Sequence, residues 1–172
     1  MARLTGTQQG FTLIEILVVL VLVGLLAGVA VLTMGGSTEQ RALEQDARRL
    51  YLTLQTAAEL AVTGNQEIGV RVSDSGYQFL TLDAEDGEWR ESETRLLKGD
   101  QFAPGVVVTH QLRAGLPRLA DKSADQRPDL VFLSSGAVTG FEITLGRASG
   151  PVYRIASDGR LPLTWDTPEG EA

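Results

Sequence analysis

The chain has 172 residues, 43% of them hydrophobic, with 15 basic and 22 acidic side chains and a net charge of −7. Its length suits one modest domain plus an anchor. The absence of cysteine excludes disulfides, thiol chemistry and Cys-based zinc sites, and the acidic balance without a long basic run disfavours a non-specific phosphate-binding surface.

Residues 11–34 form an apolar run whose only charge is Glu15. As a helix, this run reaches about 36 Å at 1.5 Å per residue. That exceeds the roughly 30 Å hydrocarbon core of a bilayer, so the run is long enough to span a membrane with tilt. It is too long for the apolar region of a cleaved secretory signal. Arg3 precedes it and Glu39 is the first charge after it, which places the N-terminus in the cytoplasm and the rest outside.

A carboxylate in such a segment costs free energy. Either Glu15 reaches back to the interface and does nothing further, or it has a partner. The span offers no Lys, Arg or His. Cleavage between Gly10 and Phe11 creates a cation instead: a free α-amine with a pKa near 8. Glu15 of one subunit can neutralise that amine on a neighbour displaced along a shared axis. Gly24 and Gly28 form a small-xxx-small pair, which reads either as a close-packing surface or as simple tolerance of glycine in a span.

The stretch "GFTLIE" (Gly10, Phe11, Thr12, Leu13, Ile14, Glu15) followed by an unbroken apolar tail resembles the class III signal of type IV pilins and type II secretion pseudopilins. The resemblance implies a leader over residues 1–10 cleaved after Gly10 by a prepilin peptidase. It also implies N-methylation of Phe11 and Glu15-dependent assembly into a helical filament. Residues 11–36 are then the transmembrane and assembly helix, and residues 37–172 a periplasmic domain.

Gly35-Gly36 weakens the helix at about 1 kcal/mol per glycine relative to alanine. Ser37 with Gln40 fits a capping box that restarts it. A second helix is expected over residues 38–63, its apolar stripe Leu43, Ala47, Leu50, Leu54, Ala57 and Ala61 packed on a sheet. Arg41, Glu44, Arg48, Gln55 and Glu59 are expected to face water, and Gly64-Asn65 to cap the end.

Strands follow in "EIGVRV", "YQFLTLD", "GVVVTHQL", "LVFLSS", "FEITL" and "VYRIAS", with turns at residues 73–76, 84–89, 136 and 158–159. Phe141, Ile143 and Leu145 alternate with Glu142 and Thr144, as in a half-buried strand. Residues 113–129 read as a long surface loop carrying Pro117 and Pro128. One long helix followed by antiparallel strands is an α+β layout, in agreement with the type IV pilin-like fold that the N-terminus implies.

"LVFLSSGAVTGFEITL" and "RIASDGRLPL" resemble the C-terminal pattern of H-type minor pseudopilins, the GspH/FimT group. The shared features are Ser135-Gly136, an aromatic-led strand at Phe141 and the turn Ser157-Asp158-Gly159; Gly140 stands where relatives often have proline. The resemblance implies a minor pseudopilin of type II secretion at the pseudopilus tip, in contact with the major and other minor pseudopilins, the prepilin peptidase and secreted exoproteins. A FimT-like minor type IV pilin that binds DNA is the alternative. It requires an exposed basic surface, whereas the tail carries Asp166, Glu169 and Glu171, so no nucleic-acid partner is expected.

No catalytic, cofactor or metal site emerges. His110 is the only histidine and reads as a surface residue on a strand. Ser134-Ser135-Gly136 lacks the pattern of a nucleophile elbow. The acidic turn over residues 83–88 offers oxygens to calcium but reads first as a solvated turn.

Overall fold

The computed structural model describes residues 13–112 and 127–167, with residues 27–37 described as helical backbone only. Gly10 and Phe11, most of the loop expected over residues 113–129, and residues 168–172 lie outside the described residues. The chain falls into two units, Met1–Glu39 and Gln40–Ala172.

Helix α1 runs unbroken over Leu13–Gly64. The expected interruption at Gly35-Gly36 and restart at Ser37 is therefore corrected: both glycines lie in continuous helix. Once flanking turns are nucleated, propagation adds a hydrogen bond for each residue fixed and carries the helix through two weak positions.

Within the first unit the described side chains of α1, residues 13–26, are exposed on every side, from Leu13 at 84% to Val19 at 48%. Among the described residues no helix is long and apolar enough to cross a membrane. The described apolar side chains stop at Leu26, short of the roughly 20 residues a span requires.

In the second unit the stripe Leu43, Ala47, Leu50, Leu54, Ala57 and Ala61 is fully buried. Gln55, expected in water, is half-buried because its amide donates to the Tyr51 hydroxyl at 2.9 Å. The helix ends at Gly64-Asn65 as expected. Asn65, not Gly64, takes the left-handed conformation at φ 49°. The Asn65 and Gln66 amides then donate to the Val62 and Ala61 carbonyls at 3.4 and 3.1 Å, a Schellman motif.

The domain has two antiparallel sheets. The first contains β1 (Ile68–Ser73), β2 (Gly76–Leu82), β3 (Trp89–Glu91), β4 (Asp100–Gln101) and β6 (Leu130–Phe132), ordered β3-β2-β1-β6 with β4 also on β2. The second orders β5 (Val107–Leu112), β7 (Phe141–Gly146), β8 (Tyr153–Ser157) and β9 (Thr164–Asp166) as β5-β7-β8-β9.

The inward residues of both sheets, among them Ile68, Val70, Phe79, Phe141, Ile143 and Ile155, join the α1 stripe in one core. On the outer face of the first sheet, Leu80, Trp89 and Val131 form a smaller cluster. Trp89 and Pro128 sit so close to Gly69 that a Cβ there would lie 2.7 Å from Pro128 and 2.9 Å from Trp89.

Candidate assembly surface

Glu15 lies in the first turn of α1, exposed and flanked by Leu13, Ile14, Ile16 and Leu17, all between 49% and 84% exposed. A helix apolar around its whole circumference buries its surface in lipid or in other helices. Glu15 is the one charged group in the described part of that surface, residues 13–26. A Cβ added at Gly24 meets nothing within 4 Å, so this position is open to a neighbouring helix. Gly28 has helical backbone, and its surroundings lie outside the described residues.

The other candidates resolve into structural chemistry. His110 is exposed on β5 opposite Ile143. The Ser134 amide and hydroxyl both donate to Glu67, each at 2.9 Å, and Gly136 takes φ 84° in the turn that follows. Ser134 therefore faces a carboxylate rather than a histidine. In the acidic turn Arg90 pairs with both Asp83 and Asp86. The remaining oxygens of these two acids accept the Glu85 and Glu88 amides at 2.8 and 2.9 Å. Among the described residues no group of three or more His, Cys, Asp or Glu is placed to hold a metal ion.

Polar contacts that sequence reading missed tie α1 to the first sheet. Asp46 accepts the Ala103 amide at 2.6 Å, and Arg49 pairs with Asp100. The hydrogen bond from Arg49 lowers the Asp100 pKa, and the same bond raises that of Arg49. Burial raises the pKa of Tyr77 beside them. Asp46 and Ala103 are 57 positions apart, so no local pattern signals their bond.

The sequence matches the family of type II transport protein GspH over residues 46–159, well over half of the chain. It matches the prokaryotic N-terminal methylation motif over residues 6–31. It is 31% identical to type II secretion system protein H of Aeromonas hydrophila, over 95% of this chain and 97% of the relative. It is 33% identical to the protein of the same name in Pseudomonas aeruginosa, over 90% and 94%.

Among solved structures, the fold is shared with the minor pseudopilin EpsH from the type 2 secretion system of Vibrio cholerae. That likeness has a TM-score of 0.59 at 24% identity and covers 73% of this chain and 97% of the other. The solution structure of Escherichia coli GspH has a TM-score of 0.55 at 20% identity, with 79% and 93% covered. Matched in family over its domain and carrying the methylation motif ahead of it, the chain belongs to the GspH family, the H-type minor pseudopilins of type II secretion.

Proposed function

We propose that the chain is a non-enzymatic subunit of the pseudopilus tip, held in the bacterial inner membrane by the N-terminal part of α1 with its domain in the periplasm. There it initiates the pseudopilus or links the tip to the shaft, in contact with the major and other minor pseudopilins and with exoproteins. The observation that carries this reading is an all-round apolar helix with one acid, Glu15, in its first turn, within the span of the methylation motif. In this reading prepilin peptidase cuts after Gly10, Phe11 is N-methylated, and Glu15 neutralises the Phe11 amine of an adjacent subunit. Gly24 and Gly28 let helices approach.

Mass spectrometry of the native polypeptide tests it. The expected mass lacks residues 1–10 and carries one added methyl group at Phe11. A mass that retains the leader overturns the reading.

A further inference from the structure

Arg71 of β1 and Gln78 of β2 are register partners on the side of the first sheet turned away from α1. With Ser73, Ser75 and Gln101 they line a pocket of about 190 Å³. Arg71 is partly buried. The ion pairs among the described residues engage Arg49, Arg90 and Arg154, and the Arg71 side chain makes neither an ion pair nor a hydrogen bond among those residues.

Two adjoining carboxylates are already committed. Asp129 accepts the Val72 amide at 2.8 Å. Asp100 is held by Arg49 and accepts the Gln101 amide at 2.9 Å. Arg71 is thus a partly buried arginine whose side chain pairs with no acid among the described residues. Its planar fork matches a carboxylate in two parallel hydrogen bonds. The side-chain amides of Gln78 and Gln101 supply uncharged donors beside it.

A larger cleft of about 580 Å³ adjoins the pocket and shares Tyr77, Gln78, Asp100 and Gln101 with it. Glu91 and Glu93 line that cleft with Lys98 as its one cation. A phosphate dianion or a polyanionic strand would meet repulsion from Asp100, Glu91 and Glu93. A single carboxylate at Arg71, attached to an uncharged chain in the cleft, carries less charge, sits against the guanidinium and keeps clear of Glu91 and Glu93, so the repulsion left to it is that of Asp100 alone.

We propose that this pocket binds the C-terminal carboxylate of a peptide, with Arg71 as its two-pronged donor and the adjoining cleft receiving the residues before the terminus. The test is an NMR titration of the isotope-labelled full chain in detergent micelles, following the Arg71 side-chain Nε and the Gln78 amide. The probes are acetyl-trialanine as the free acid, the same peptide as its amide, an amidated peptide with an internal glutamate, and inorganic phosphate.

The free acid is expected to shift both resonances saturably and to bind about tenfold or more tightly than the amide. Arg71→Gln abolishes this binding, Arg71→Lys weakens it, and Arg95→Gln leaves it unchanged. Equal binding of acid and amide, equal binding of the glutamate peptide, tighter binding of phosphate, or retained binding by an Arg71→Gln chain with an otherwise unaltered spectrum would overturn the proposal.

Discussion

The carboxylate of Asp46 on α1 accepts the backbone N–H of Ala103 at 2.6 Å, pinning the strand connection after β4 to the helix. Removing the acceptor leaves a part-buried amide without its partner, at a cost of about 1–3 kcal/mol. Asp46→Ala is therefore expected to lower the unfolding free energy by that amount, with a matching fall in the denaturant midpoint. Asp46→Asn keeps an acceptor oxygen and should recover much of the loss. Chemical denaturation followed by circular dichroism measures both.

Gly76 faces Asp100 so closely that a Cβ there collides with the Asp100 carbonyl oxygen, a backbone atom that cannot swing aside. Gly76→Ala is expected to cost about 1–3 kcal/mol by pushing β4 off β2. Faster hydrogen exchange would accompany it at Phe102, whose amide donates to the Ser75 carbonyl at 2.9 Å. An alanine variant with the native melting temperature would contradict this account of the β2–β4 contact.

Leu54 is fully buried at the centre of the α1 stripe, while Leu52 is 50% exposed two residues earlier on the same helix. Leu54→Ala should lose about 2–5 kcal/mol through transfer and cavity terms. Leu52→Ala should stay within about 0.5 kcal/mol of wild type. Paired thermal melts of the two variants read the difference directly.

The Arg49–Asp100 pair gives stability a small acid dependence. The Asp100 pKa is held below its ordinary value of 3.8. The pair's contribution is therefore complete above that value and is lost as the pH falls through the lower folded-state value. The side chains are 58% and 37% exposed, so the effect stays below about 1 kcal/mol. Arg49→Gln should lower stability slightly at neutral pH and leave it unchanged at the acid end, as melting temperature measured against pH would show.

At the N-terminus, Glu15→Val is expected to leave membrane insertion intact, since it removes only a charge from an apolar helix, and to impair assembly. A bulky residue at Gly10 is expected to leave the precursor uncut. Alkaline extraction of membranes, exoprotein secretion and gel mobility of the two variants check these outcomes. Unchanged secretion by Glu15→Val would remove the support for amine pairing.

Local periodicity made α1 and β7 legible. The stripe from Leu43 to Ala61 follows helical spacing, and Phe141, Ile143 and Leu145 alternate with Glu142 and Thr144. Neither pattern depends on what lies opposite. Short strands carry no such signal. Asp100–Gln101 is a strand only because Gly76 and Tyr77 pair with it, and Thr164–Asp166 only because β8 lies beside it.

The division into two sheets, the strap from Asp46 to Ala103 and the pocket around Arg71 also arise from residues distant in the chain. Among the site residues, Glu15 was legible because one acid in an apolar run needs no partner to be conspicuous. Arg71 was not, because its isolation exists only once Asp129 and Asp100 have been claimed by others.

The sealed row of side chains from Leu43 to Ala61 has a mechanical consequence. Its six fully buried residues lie along one helix axis, so traction applied along that axis loads every one of them simultaneously, in shear. Sliding this stretch of helix out of its own domain therefore requires all six contacts to give way together rather than one after another.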